Sequence, residues 1–252
     1  MSRLTARAKF DRIAQLYDRT RPGYPAEMFD EIAVPDSRVL EIGCGTGQAS
    51  LPLVERGCRL LAVELGEHLA ELAALKLAPH PSAKVVVADF DTWESDETGF
   101  DMVFSATAFH WLDPATKFER TADLLRPGGI LATATTYQIA GGTERFFTDA
   151  QACRRRFDPT TEDYTLPGAA DLPPDNDLGP RYRKPVVHHY EWTVDYTTRQ
   201  YLDLQRTYSA MLMLPEIAAE GMLRCFGALI DGRYGGRVTK RYLAELRIAE
   251  RV

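Results

Sequence analysis

Apolar positions along this chain switch between two periods. Short, mostly apolar runs fall at 38–42 (RVLEI), 59–64 (RLLAVE), 84–90 (KVVVADF), 100–106 (FDMVFSA) and 130–135 (ILATAT). Such runs suit strands buried on both faces. Between them the apolar residues recur at helical spacing: Leu51, Leu53 and Val54 in 48–56, and Leu69, Leu72, Ala73 and Leu77 in 66–78. A further helix is expected over 115–125, closed by Arg126-Pro127-Gly128-Gly129 before the fifth strand. Strand and helix in alternation predict an α/β fold, a doubly wound, mostly parallel sheet with helices on both faces.

The flanks are less regular. Phe10, Ile13, Ala14, Leu16 and Tyr17 predict a helix within 5–17, which Pro22 and Pro25 break before a second helix at 26–33. After the fifth strand a helix is expected at 143–157. Residues 158–185 then carry Pro159, Pro167, Pro173, Pro174, Pro180 and Pro185, which exclude a regular helix. A β-branched and aromatic stretch at 186–196 reads as strand six, and helices are expected at 197–208 and 215–231. The closing segment after Gly235-Gly236 has ambiguous periodicity. The organisation expected is a single domain: a cap at 1–36, a core at 37–136, an insertion or lid at 137–185, and completing strands and helices at 186–252.

Composition narrows the function. A net charge of −6 weighs against a non-specific nucleic-acid binder, and no apolar run approaches the span of a bilayer. The four cysteines, Cys44, Cys58, Cys153 and Cys225, have no C-x-x-C spacing. They are expected as free thiols in a reducing, cytoplasmic setting, with neither a metal nor a redox pair. His188 and His189 adjoin each other on a strand, so they point to opposite faces and cannot share a metal. His68 and His80 read as surface histidines. The basic residues Arg181, Arg183 and Lys184 read as a solvated loop.

The chemistry concentrates between 38 and 65. The first strand empties into Gly43, Gly45 and Gly47, a helix follows, and the next strand ends on Glu64. Glycines let the backbone approach a ligand closely, and an acid at the next strand tip can accept hydrogen bonds from a ribose diol. Gln48 stands where a dinucleotide turn, G-x-G-x-x-G, would place its third glycine. With Glu41 two residues ahead, the run EIGCGTG resembles the first motif of the class I S-adenosylmethionine (SAM)-dependent methyltransferases, (E/D)-x-G-x-G-x-G. The segments FDRIAQLYDRTRPGYP and LRPGG resemble small bacterial members of that family. TAFHWLDP resembles its small-molecule enzymes, including the group around trans-aconitate methyltransferase. The (D/N/S)-P-P-(F/Y) run of the enzymes that methylate adenine, cytosine or glutamine amino groups is missing.

The resemblance implies a Rossmann-like seven-stranded sheet whose last strand returns antiparallel between the fifth and sixth. It implies that Glu41 lies beside the amino-acid end of SAM, that Gly43, Cys44, Gly45, Gly47 and Gln48 pass under it, and that Glu64 and Leu65 hold the ribose. Asp89 and Phe90, at the third strand end, would take the adenine amino group and cover its face. Ala106 and Thr107 would pass close to the cofactor, with His110 and Trp111 bordering the methyl group. Tyr17 and Arg21 would reach the SAM carboxylate. His110 is the candidate general base, since its ordinary pKa suits removal of a proton from a hydroxyl or amine. The implied reaction is in-line methyl transfer to a small-molecule acceptor, yielding S-adenosylhomocysteine (SAH), by a monomer or homodimer without metal, nucleic acid or membrane. Two other readings stay open: a nicotinamide-dependent oxidoreductase and a non-catalytic SAM or SAH binder.

Overall fold

Four short strands come first: β1 at Arg38–Ile42, β2 at Arg59–Glu64, β3 at Ala83–Val87 and β4 at Phe100–Ala106. They pair in parallel, with Ile42 opposite Val63, Glu64 opposite Val87 and Glu41 opposite Phe104. In this computed structural model residues 9–172 and 178–252 are described. Three longer strands follow: β5 at Leu125–Ile139, β6 at Val186–Thr197 and β7 at Arg237–Glu250. The sheet order is β3-β2-β1-β4-β5-β7-β6. β7 runs antiparallel: Gly128 N–H donates to the Arg251 carbonyl, whereas Thr143 N–H donates to that of Thr239. The ambiguous last segment is therefore the strand between the fifth and the sixth. Its N-terminal half alternates, with Val238, Lys240 and Tyr242 buried.

Packing divides the chain into two units. One holds residues 23–136, 174–190 and 244–252; the other holds the chain up to 22, 137–173 and 191–243. In the first, Val39, Leu40, Glu41 and Ile42 are all buried, as a central parallel strand requires. Its core gathers Leu40, Ile42, Val63, Phe90, Phe100 and Val103. In the second, Phe146, Tyr201, Phe226 and Tyr242 form a separate aromatic-rich core.

Several boundaries move. The expected helix is interrupted: residues 9–11 are helical, a turn follows at 12–13, and a helix then spans Ala14–Thr20, stopping where Arg21 turns extended ahead of Pro22; positions 5–8 of the expected helix lie outside the described residues. β3 ends at Val87, so Asp89 and Phe90 follow the strand rather than finish it. β5 begins at Leu125: the Arg126–Gly129 segment is taken into the strand as an irregularity opposite Phe100–Met102. The helix expected at 143–157 is two, Glu144–Asp149 and Gln151–Phe157, meeting at Ala150. In the Pro-rich stretch a short 3-10 turn spans Ala169–Asp171; Pro173 and Pro174 lie outside the described residues.

One expectation about the cysteines is overturned. Cys44 and Cys58 are free and buried, but Cys153 and Cys225 are joined by a disulfide. The helices Gln151–Phe157 and Glu216–Arg233 pack together, and a Cβ on Gly221 would fall 2.3 Å from the Phe157 ring. That close packing brings the two cysteine Cα atoms to 5.8 Å across 72 residues of sequence, within bridging range. Disulfides persist in oxidising surroundings, so the cytoplasmic expectation loses the support it drew from free thiols. Among the described residues, no helix is long and apolar enough to cross a membrane.

Candidate functional site

The turn after β1 is built from three left-handed glycines, with φ of +70° at Gly43, +58° at Gly45 and +83° at Gly47. Only glycine adopts this conformation without strain. Gly43 has a second reason to lack a side chain: a Cβ there would lie 2.5 Å from the Ala108 Cβ. The helix expected from residue 48 starts at Ser50 and spans six residues. Gln48 consequently stands in the turn. Its Nε2 and the Thr46 Oγ1 are buried without a partner. Buried polar atoms are ordinarily satisfied, so these two suit a polar ligand laid along the turn.

Two acids frame the glycines. Glu64 is buried at the tip of β2 and accepts from Gly45 N–H through Oε2 at 2.8 Å and from Gly66 N–H through Oε1 at 2.9 Å. The carboxylate thus fixes the turn on one side and the half-buried Leu65 segment on the other. Glu41 is 1% exposed and accepts from Ser50 Oγ at 2.5 Å. Burial pushes its carboxyl up to about 7; the Ser50 bond opposes this and the Glu64 charge adds to it. Cys44 is driven well above the ordinary thiol range by burial first and then by Glu41 and Glu64. It is therefore an inert packing residue rather than a nucleophile.

Beyond β3, Asp89 Oδ1 accepts from Asp91 N–H at 3.1 Å and the Asp89 carbonyl from Trp93 N–H at 2.7 Å. Phe90 is 3% exposed and belongs to the core, with the Arg120 guanidinium 5.3 Å from its ring centre. Its ring packs within the core of this unit. The reason is the chain reversal at Asp89, which turns Phe90 inward toward Arg120, whose guanidinium also donates to the Phe90 and Trp93 carbonyls. Trp93 packs against the same core.

At the end of β4, Ser105 Oγ donates to the Ile42 carbonyl and binds this strand end to the glycine turn. Ala106 is half-buried. Thr107 adopts φ +55°, an uncommon state for a β-branched residue. It is held there by its N–H on the Ala134 carbonyl at 2.7 Å and by a 3.0 Å hydroxyl contact with Tyr24. Phe109–Trp111 then form a 3-10 turn. His110 sits on it with its ring 5.1 Å from that of Trp111. Solvent reaches the His110 ring, yet neighbouring atoms dehydrate it; that burial, then the Lys117 charge, lowers its pKa from 6.5. The imidazole is neutral and able to accept a proton at neutral pH.

Tyr17 and Arg21 belong to the second unit. There Arg21 donates to Thr207 Oγ1 at 2.9 Å and to the Thr207 carbonyl at 2.6 Å, between the Tyr17 and Tyr208 rings. His188 faces Glu31 and His189 faces Glu245, so the two histidines do have separate surroundings. Arg181 pairs with Glu119 and Asp123, and Arg183 with Glu250. The Ser50–Glu41 bond and the Ala108–Gly43 contact carried no sequence signal. The buried Lys240 did carry one: it holds an inward position between Val238 and Tyr242.

Residues 39–129 match a family model described as a methyltransferase domain. An uncharacterized methyltransferase of Mycobacterium tuberculosis is 29% identical over 217 residues, 85% of this chain and 82% of that protein. A trans-aconitate 2-methyltransferase of Methylobacterium radiotolerans is 29% identical over 132 residues, covering 51% of this chain and 48% of that enzyme. Among solved structures, a candidate type II methyltransferase from Anaeromyxobacter dehalogenans superposes with a TM-score of 0.61 at 23% identity, over 90% of this chain and 97% of that one. The family match begins within β1 and runs past the turn after β4, so it spans every strand end described above except the last three. The chain carries a methyltransferase domain over residues 39–129 and is similar to methyltransferases along most of its length.

Proposed function

We propose that the protein transfers the SAM methyl group to a small-molecule acceptor. The observation that carries this reading is the segment after β4. Thr107 is held in a left-handed turn, Ala108 presses on Gly43, and His110 and Trp111 project from a single 3-10 turn. The segment lacks the Pro-Pro run of the enzymes that methylate nucleobases and glutamine. A relative named for a small-molecule acceptor, trans-aconitate, supports the same reading over about half of its length.

When bound, SAM supplies a methyl already activated on a sulfonium and departs as SAH. Gly43, Gly45 and Gly47 let the ligand lie against bare backbone, with Thr46 and Gln48 offering their unpartnered polar atoms. Glu64 takes the ribose side, and Glu41 balances the positive amino end. Asp89 receives the adenine amino group, and Ala106 and Thr107 border the cofactor. His110 accepts the proton of a hydroxyl or amine acceptor. Positioning can contribute about 7–11 kcal/mol in such a displacement, so the residues that fix the acceptor matter more than the base.

The test is SAH release from the purified full chain in a screen of small-molecule acids, amines and phenols, with duplex DNA and unfolded protein as comparison acceptors. SAH formed on one small-molecule class supports the reading. Turnover on DNA or protein alone overturns it, and SAH binding with no turnover in any arm favours a non-catalytic binder.

A further inference from the structure

Among the described residues, the second unit holds three cations that no carboxylate pairs; the acidic group at hand is the Tyr208 phenol, which burial pushes up but Lys240 and Arg21 bring below its ordinary value overall. Lys240 is 2% exposed, and its Nζ donates to the Tyr208 hydroxyl at 2.7 Å. The ammonium also lies 4.8 Å from the Tyr208 ring centre and 5.0 Å from that of Tyr242. Arg21 is 4.6 Å from the same Tyr208 ring. Arg154 is sandwiched by Tyr164 and Phe226, 5.5 and 5.4 Å from their centres, and its Nε is buried without a partner. Among the described residues, no carboxylate lies within ion-pair distance of any of the three, and the groups that bear on Lys240 are Tyr208, Arg21 and Arg154.

This arrangement is expensive as it stands. Buried charges are ordinarily paired, and like charges in one apolar setting repel. The donor count leads to the same point. An ammonium has three N–H groups and a guanidinium five. Lys240 places one on Tyr208, Arg21 leaves its Nη1 without an acceptor, and Arg154 has no side-chain hydrogen bond. Tyr208 and Arg21 are half-buried, so the cluster is open to solvent on their side with Lys240 behind them. Tyrosine rings and hydroxyls surround it, including Tyr196, whose hydroxyl is 2.9 Å from that of Tyr242.

We propose that Lys240, Arg154 and Arg21 form a receptor for an oxyanion, a carboxylate or phosphate group, within this unit. An oxyanion supplies the missing negative charge and several acceptor lone pairs at once. A guanidinium and an ammonium bind it through short charge-assisted bonds. The surrounding phenols supply apolar walls with polar tips, which suits a small acid more than a polymer. The receptor stands on the second unit alone and does not depend on the methyl-transfer reading.

The experiment is calorimetric titration of the full chain with citrate and, separately, inorganic phosphate, each with and without saturating SAH. SAH affinity is measured alongside for the wild type, Lys240→Met and Arg154→Met. The expected result is saturable binding of at least one anion that persists with SAH bound. Each variant weakens it tenfold or more while SAH affinity stays within twofold. Arg154, less buried than Lys240, keeps the test alive if Lys240→Met does not fold. Saturable binding that both variants retain overturns the receptor, as does no saturable binding of either anion. If SAH displaces the anion and both variants lose SAH affinity by the same factor, the cluster serves the cofactor carboxylate, and the receptor as a separate site falls. A failure of SAH to bind the wild type at all would count against the methyltransferase reading, separately from the receptor.

Discussion

Gly43→Ala is the sharpest perturbation of the glycine turn, because two independent costs are fixed by the structure. The backbone there has φ +70°, and an L-residue in the left-handed region pays about 1–2 kcal/mol. The new Cβ would also fall 2.5 Å from the Ala108 Cβ, more than an ångström inside ordinary contact, and overpacking of this kind costs about 1–3 kcal/mol. The sum is about 2–5 kcal/mol, or roughly 4–20 °C in melting temperature for a chain of this size. Ala108→Gly removes the second cost and leaves the first. The assay is a double-mutant cycle by urea unfolding, repeated with SAH. Ala108→Gly should restore about 1–3 kcal/mol in the Gly43→Ala background and none in the wild type, where glycine only adds backbone freedom. A neutral Gly43→Ala, or strict additivity of the two changes, would refute the contact and with it the placement of the post-β4 segment on the turn.

Three further outcomes follow from the same geometry. Glu41 holds a proton up to about pH 7 when folded but releases it near 4.5 when unfolded. Its contribution to stability is therefore full below 4.5 and lost as pH rises to about 7. Glu41→Gln should flatten that decline and gain about 1–3 kcal/mol at pH 8, read from urea midpoints at pH 5, 6, 7 and 8; parallel profiles for the two proteins would contradict it. His110→Ala should cut turnover on an identified hydroxyl or amine acceptor about 100-fold with SAH affinity within twofold. The wild-type rate should rise through a midpoint below 6.5, and surviving turnover would remove the base. Cys225→Ser, or a reductant on the wild type, should lower stability by about 2–4 kcal/mol by releasing the 72-residue loop. The test is thermal melting with and without dithiothreitol: no shift in the wild type would mean that the bond does not form in solution.

The parallel half of the sheet was legible because its signals are local. β1, β2 and β4 are mostly apolar runs that end on a glycine, an acid or a small residue, and their observed limits agree with those read from the pattern. The acid and glycine positions announced the turn for the same reason, since each residue type answers a backbone or charge requirement on its own. What stayed hidden depends on neighbours far apart in sequence. Phe90 looked available because its strand ends there, but Arg120, thirty positions on, draws it into the core. Cys153 and Cys225 meet only because two helices pack, which no spacing rule reports. Lys240 is the instructive miss. Its alternation with Val238 and Tyr242 marked an inward position, and a lysine there was a conflict between pattern and chemistry.

The amides of the glycine turn have a consequence for selectivity. Gly43 N–H is spent on the Val63 carbonyl, Gly45 N–H on Glu64, and Gly47 N–H on the Cys44 carbonyl. A phosphate-gripping loop does the opposite: it leaves successive amides pointing outward for oxygen atoms to collect. Here the inward-facing donors are consumed in holding the loop's own shape, and two carboxyl groups lie beneath it. On the proposed reading, a pyrophosphate arriving at this loop would meet few free donors, and the acid at Glu64 would favour a cationic guest over an anionic one. The loop makes these bonds from its own residues, so the position of the two acids beside it is written into folding itself.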